Sequence, residues 1–576
     1  MKTRNAKAFR SCARAIALFL AAIVSAAGQE GATGQENSAA ENPPARVARL
    51  SFIKGSVSFL RAGVQQWSDA ALNYPATTGD RIYTDKGART ELQVGNFTVR
   101  LSEHTDLTVT NLNDQILQLG LQEGTLRLSV YQLPSGDTVE IDTPNGAVTV
   151  VQPGEVRIQV DPNGDLTEVA VNSGSVELTG AGVSQTLQSG QAAKLTGYDE
   201  VAIVSIPLPR ADDFDKWCEE RDRHISSSKS ARYVSRGVPG FDDLDEYGTW
   251  EDVADYGPIW YPAGVVVGWV PYRFGRWVWV GPWGWTWVED EPWGFCQFHY
   301  GRWVHIGVRW GWLPGPIVPV PVYAPAFVAF VGGPSFSITI GGGPVSLTAW
   351  FPLGPGEPFF PWYHCRETYI REVNITNVRN ITNITNVVNI TNINNVHYAY
   401  RSIATTAVPA NVLRNGAPVA RQMVRLTPQQ LERAQIVPHP NVNPSLRAAL
   451  PGKPVSPPLV RPQASLAAAR EAPRTVRTPP PVSRTAPISE RVPPVAPVRT
   501  APPRLITRVP PPPPHVPFTV QHQYMTQHPG RYLEPQQLEN LRAGRRPGPM
   551  LDREFPPHVA PPPHVRVAPP APPRKQ

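Results

Sequence analysis

Apolar and polar residues alternate in short runs between residues 48 and 197. The clearest are Ser56-Val57-Ser58-Phe59-Leu60, Thr90-Glu91-Leu92-Gln93-Val94 and Thr125-Leu126-Arg127-Leu128-Ser129-Val130, followed by Ala147–Val151, Val156–Val160 and Ser175–Leu178. A period of two rich in β-branched residues marks half-buried strands. Turn residues separate them at Gly95-Asn96, Pro144-Asn145-Gly146, Pro162-Asn163-Gly164-Asp165 and Ser173-Gly174. No amphipathic helix interrupts the stretch, so the pattern predicts an all-β domain over 48–197. In the connector 198–246 the spacing changes: Phe214, Trp217 and Cys218 fall at i, i+3 and i+4. That is one short helix, expected to dock one domain on the next, with Cys218 as a core thiol.

From 247 to 365 the alternation returns with aromatic residues. Of the 16 Trp in the chain, 14 lie between Trp250 and Trp362. A short element recurs as Tyr247-Gly248-Thr249-Trp250, Phe274-Gly275-Arg276-Trp277 and Tyr300-Gly301-Arg302-Trp303, with Tyr256-Gly257-Pro258-Ile259-Trp260 as a looser copy. A longer echo, offset by 26 to 27 residues, joins Phe274–Trp285 to Tyr300–Trp312. Such a period predicts repeated hairpins in a small β domain. A Gly beside each aromatic lets a ring lie over neighbouring backbone. Alternation places several Trp on one face, and Trp277, Trp279, Trp285, Trp287 and Trp303 with Arg276 and Arg302 are the candidate ligand face. Indole faces stack on sugar rings, and guanidinium groups add cation–π contacts or bind carboxylates. The ligand expected on this reading is a cell-wall glycan or an envelope protein. The competing reading is that these Trp form the core of a domain short of aliphatic residues.

Between Asn374 and Val396 the period becomes three, with Ile or Val after an Asn in each triplet. Neither helix nor strand has that period. A three-fold rod, self-association through Asn ladders, or a flexible spacer would suit the segment 366–400. Beyond residue 400 the chain holds 40 of its 66 Pro and a net charge of +17, against +7 for the whole chain. Pro-rich low-complexity sequence buries too little apolar area to offset chain entropy. Residues 401–576 are therefore expected to be a disordered basic tail able to contact an anionic envelope polymer. Two copies of Pro-Gln-Gln-Leu-Glu, at 428–432 and 535–539, are candidate short helices opened by Pro.

The first residues set the compartment. Lys2, Arg4, Lys7, Arg10 and Arg14 precede the apolar run Ala15–Gly28, which ends in small residues at Ser25-Ala26-Ala27. This reads as a signal peptide over 1–28 followed by a linker over 29–47. The run is too short for a span, and no later segment is long and apolar enough to be one. The expected location is the periplasm or surface of a bacterium, which puts nucleic acid out of reach. Export permits a disulfide, but the spacing of Cys218, Cys296 and Cys365 leaves the pairing open. Neither a zinc signature nor any other cofactor motif is present. Glu289, Asp290 and Glu291 with His299 and His305 are the nearest approach to an acid–base set. Neighbouring carboxylates point apart, so loop acids before a turn explain them, and no enzyme is expected.

The punctuation of 48–197 resembles the FecR family. Gly79-Asp80-Arg81-Ile82-Tyr83-Thr84, Phe97–Leu101, Gly124-Thr125-Leu126-Arg127, Thr143-Pro144-Asn145-Gly146-Ala147, Gly154-Glu155-Val156 and Val171–Val176 match its elements in order. The resemblance implies a periplasmic β-solenoid or β-roll. In the founding regulators that domain relays a signal to a sigma factor, through a spanning helix and a cytoplasmic helical domain. This chain has a cleavable signal there instead, so the anti-sigma role is not carried over. Residues 247–365 are similar to an uncharacterised Trp-rich domain that follows FecR-like domains in secreted proteins. Its shared marks include Glu291-Pro292-Trp293-Gly294 and His299-Tyr300-Gly301-Arg302-Trp303. The leading expectation is a non-catalytic envelope binding or scaffold protein. The alternative is a sensory component that passes a signal to a membrane or sigma-factor partner.

Overall fold

A computed structural model of the chain describes residues 42–333, 336–340, 342–377, 396–458, 460, 462–469, 504–510, 512–528, 533 and 535–544. The expected signal peptide, the linker up to residue 41 and the triplets at 378–395 lie outside the described residues.

The alternating stretch supplies fourteen of the fifteen strands of one sheet, and the last, an edge strand, comes from the start of the expected connector. In order these are β1 Ala48–Lys54, β2 Val57–Leu60, β3 Trp67–Asp69, β4 Pro75–Ala76, β5 Arg81–Thr84, β6 Arg89–Val94, β7 Phe97–Leu101 and β8 Thr105–Leu112. There follow β9 Ile116–Val130, β10 Thr138–Asp142, β11 Ala147–Val160, β12 Leu166–Gly180, β13 Val183–Gln188, β14 Ala192–Thr196 and β15 Ala202–Ile206. The long strands change partner along their length. One edge of β9 pairs with β8 and then β7, and its other edge pairs with β10 and then β11. A strand that hands over its neighbours in this way rolls the sheet on itself. Within this sheet only β9–β10 is parallel, so the chain advances as an antiparallel roll. The expected runs 147–151 and 156–160 are one strand, β11, with a register shift between Val150 and Val156.

Helix α1, Asp213–Ser227, follows where helical spacing predicts it. Asp212 caps it, accepting from the backbone of Phe214 and Asp215, and the Asp215 carboxylate accepts from the Asp212 amide. Such a reciprocal cap fixes the first turn. After the short helix α2, Leu244–Tyr247, come three hairpins. They are β16 Gly248–Val253 with β17 Gly257–Pro262, β18 Gly275–Val280 with β19 Gly284–Glu289, and β20 Arg302–Ile306 with β21 Arg309–Leu313; the short helix α3, Cys296–His299, precedes the last. Each sets Trp opposite Trp: Trp250–Trp260, Trp277–Trp287 with Trp279–Trp285, and Trp303–Trp312. The recurring element now has a physical meaning. A Cβ added at Gly248, Gly275 or Gly301 would collide with the indole of Trp260, Trp287 or Trp312. In each copy the Gly is the floor on which the opposite strand's ring lies.

A further sheet completes this domain: β22 Val328–Gly332, β23 Ser337–Ile340 and β24 Gly343–Pro352. Helix α4, Glu367–Ile375, then uses the first triplets structurally. Asn374 accepts from the Phe359 amide at 2.8 Å, and Asn377 accepts from the Gly301 amide at 2.9 Å.

The structure departs from the expected tail at its start. Residues 396–458 belong to the fold. After α5, Arg401–Ala404, strand β25, Thr406–Pro409, pairs with β24; beyond α6, Ala410–Arg414, and α7, Pro428–Arg433, strand β26, Gln435–Val437, pairs with β22. Val408, Leu413, Val419, Ile436, Val442 and Leu450 are buried. The Pro stand where they cost little, at a strand end in Pro409 and at the first position of α7 in Pro428. Farther on, β27 Ser465–Ala468 and β28 Arg504–Thr507 form a parallel pair, followed by α8 Phe518–Gln527 and α9 Pro535–Arg542. Both Pro-Gln-Gln-Leu-Glu copies are helices opened by their Pro. The rest of the expected tail, including 470–503 and 545–576, lies outside the described residues.

Candidate functional site

The most organised polar feature is a row of charges across the rolled sheet. Antiparallel register sets Glu91 opposite Arg100, Arg100 opposite Arg127, and Arg127 opposite Arg157. Like charges facing each other across strands destabilise a sheet, so this row requires anions from elsewhere. Helix α1 and its cap supply them. Asp222 meets Arg100 at 2.7 Å, Asp215 meets Arg127 at 3.0 Å and Arg157 at 2.6 Å, and Asp212 meets Arg157 at 2.8 Å. The helix returns one cation, as Arg221 lies 2.6 Å from Glu91, which also takes Arg100 at 2.7 Å. Burial alone would raise the Glu91 pKa, but Arg100 and Arg221 outweigh it and hold that carboxyl well below the usual range. Beneath the helix, burial pushes the Cys218 thiol up to about 12, so it is inert. Cys218, Cys296 and Cys365 are all unbridged thiols.

A second cluster ties the roll to the Trp-rich domain. Fully buried Arg49 on β1 is its hub. It donates to the Asn73 side chain at 3.0 and 2.9 Å and to the Pro292 carbonyl at 2.9 Å, and it pairs with Asp243 at 2.6 Å. Asn73, held at φ 61°, donates to the Glu291 carbonyl at 2.7 Å. Two side chains of the roll therefore grip the loop carrying Glu291-Pro292-Trp293. Gln93, which accepts from Arg49, also donates to Asp242 at 3.2 Å. Burial, aided by Asp243 and Glu91, pushes Asp242 up to about 6. The two clusters share Glu91 and Arg221 with the Asp242 environment, so one polar seam runs from α1 to the Trp-rich domain. It holds position and can pass on displacement.

The candidate ligand face does not exist as a surface. Trp277, Trp279, Trp285, Trp287 and Trp303 are all buried. Trp277 packs against Trp287, Trp350, Phe330 and Trp362 at 5.2 to 6.2 Å between ring centres. Trp285 donates from its ring to the Val442 carbonyl at 3.2 Å, and Trp287 to Glu289 at 2.8 Å. Trp303 lies edge-on to Trp269. Arg302 spends its guanidinium on the Glu357 carbonyl and Asn374, with burial lowering its pKa to about 9. Arg276 donates to the Pro451 carbonyl. The physical reason is that the face is covered, and residues 442 to 451 are part of the cover. Of the acid–base candidates, Glu289 and His299 are buried, whereas Asp290 is exposed and Glu291 and His305 are half-buried. Burial drives Glu289 well above the carboxylate range and lowers His299 to about 3. Among the described residues no group of His, Cys, Asp or Glu could hold a metal ion.

The seam was not read from the sequence. Arg100 and Arg127 stand inside the family elements, but an Arg on the polar side of a strand gives no local sign that a later helix covers it.

Comparison with known proteins gives two matches in order. Residues 80–177 match the family described as FecR protein, and residues 241–357 match a family of unknown function, DUF6600. Two crystal structures of a candidate anti-sigma factor from Parabacteroides distasonis ATCC 8503 share 17% and 18% identity with the chain. Each comparison covers 22% of this chain and 59% of that one, at a TM-score of 0.20. No curated protein matches. The chain carries a FecR domain followed by a DUF6600 domain, as its sequence implied.

Proposed function

We propose that this chain is a non-catalytic regulatory component of a bacterial cell envelope, exported to the periplasm or surface. It relays a signal through its FecR domain to a membrane-embedded or sigma-factor regulatory partner. The observation that carries the reading is the FecR domain joined to the next domain by a buried charged seam. An event on the Trp-rich side that moves the 289–292 loop acts on Arg49 and Asn73 directly. From there it reaches β1, β6 and the α1 ion pairs without crossing solvent. A packed element of this kind transmits when it has two arrangements that both sites bias. The scaffold reading has lost its main support, because the aromatic rows meant to bind glycan lie in the core.

The test is made in the source bacterium. Deleting the gene should change a defined set of transcripts. Cross-linking the full chain in living cells should recover a membrane or sigma-factor regulator. Arg49→Ala, if it accumulates normally, should fail to restore the transcripts. Unchanged transcripts in the deletion strain, with cross-links only to wall polymer, would return the scaffold reading to first place.

A further inference from the structure

The tail returns to the roll as a short bound strand. Parallel register between β9 and β10 sets Gln118 beside Glu140 and Gly120 beside Asp142. Alternation puts these four on one face, away from the core residues Leu117, Leu119, Val139 and Ile141. Strand β28 lies across that polar face. Its Ile506 amide donates to the carbonyl of Thr143, just past the end of β10, at 2.9 Å. Leu505, Ile506 and Thr507 are buried there.

Each contact reads a feature of the segment. One oxygen of Glu140 takes the Arg508 and Val509 amides at 2.9 and 3.1 Å and lies 3.1 Å from the Thr507 hydroxyl. The other oxygen accepts from the Thr149 hydroxyl at 3.1 Å, so the roll itself aims the carboxylate. Gln118 donates to Asp142 at 2.8 Å and to the Thr507 oxygen at 2.6 Å. Leu505 sits over Gly120, where a Cβ would meet it at 2.7 Å. At the rim, Arg508 pairs with Glu177 at 2.6 Å, and Arg504 pairs with Asp199. Anchored amides, a slot for one side chain and acids for flanking cations are the means by which an extended basic peptide is recognised.

The segment also differs from the roll's own strands in what it covers. Removing one of those strands would bare apolar core. Beneath β28 the roll presents Gln118, Glu140 and the Thr143 carbonyl, groups that water can satisfy. Among the described residues β28 makes one bridge to the roll, and its ladder runs instead to β27, another piece of the tail.

We propose that the polar face of β9 and β10, rimmed by Glu177 and Asp199, is a binding groove for an extended segment with a hydroxyl residue beside arginine. Residues 504–509 are its internal ligand, displaced when another protein presents such a segment. The groove is separate from the α1 seam and independent of the regulatory reading.

A fluorescein-labelled peptide of residues 504–510, followed by anisotropy against the full chain, tests it. In the chain, Thr507→Glu sets a second carboxylate against Glu140 and should expel the strap. That variant should bind the peptide saturably. The unchanged chain should bind it at least about tenfold more weakly, because its own strap competes at an effective concentration on the order of a millimolar. Thr507→Val in the peptide should weaken binding to the variant about tenfold, the size of a hydrogen bond to a charged group. Adding Glu177→Lys to the variant chain should also weaken it. The inference is overturned if the variant does not bind the peptide, if a scrambled peptide of the same composition binds as well, or if variant and unchanged chain bind alike. It is equally overturned if Glu177→Lys has no effect, or if Thr507→Glu abolishes cooperative melting of the roll, because the strap is then an integral strand.

Discussion

The rolled sheet and the Trp-rich domain use the same alternation of residues and close in different ways. The roll draws almost all its strands from one continuous stretch, and its charged face is sealed by the helix that follows. The Trp-rich domain cannot close from its own stretch. Its last sheet takes β25 and β26 from beyond residue 400, and Val442 and Pro451 lie against its indole-bearing hairpin. In both regions a face that alternation marks as distinct turns out to be covered. Period two says that a strand has two different sides, and it does not say that either side is wet.

The comparison breaks most directly by truncation. A chain ending at residue 395 should lose cooperative unfolding of the Trp-rich domain and shift its Trp fluorescence to the red, while one ending at 469 should keep both. Native emission from the shorter chain would mean that the domain closes alone after all. Next in size is the aromatic core. Trp277→Ala should cost about 3–5 kcal/mol in urea unfolding, since it removes a fully buried indole. A loss near zero would restore the exposed face.

The charged seam should respond less strongly and differently. Arg127→Ala takes one of two arginines from Asp215 and leaves Glu155 without its arginine, and breaking one side of a buried pair costs roughly 3 kcal/mol. Arg127→Met with Asp215→Leu should recover most of that, measured by thermal unfolding of both variants. The smallest effect is on pH dependence. Asp242 has a folded pKa near 6 against an ordinary 3.8, so the folded state prefers it protonated. Its contribution therefore falls as pH rises from about 4 to 6 and stays low above. Asp242→Asn should narrow the stability difference between pH 4.5 and pH 7.5 by on the order of 1 kcal/mol. Glu91 acts in the opposite sense and below this window, because its folded pKa is depressed.

Local features were legible in the sequence. The runs at 56–60, 90–94 and 125–130 lie in β2, β6 and β9, and Phe214 with Cys218 is the buried side of α1. The echo between 274–285 and 300–312 became two hairpins. Tyr-Gly-x-Trp became a ring over a glycine. What escaped was distant in sequence. Proline content alone suggested that 401–458 could not fold, but Val408, Leu413 and Ile436 are spaced to suit a surface already built by other residues. The same distance hid the seam, since Arg100 and Asp222 are far apart along the chain and meet only when α1 lies down.

The late source of β25 and β26 has a consequence in time. A chain made from its first residue onward holds a complete set of Trp hairpins well before residues 406–450 exist. From Trp362 to Leu450 a ribosome needs about 5–20 s at ordinary elongation rates. During that interval the indoles meant for Val442 and its neighbours face solvent or a chaperone.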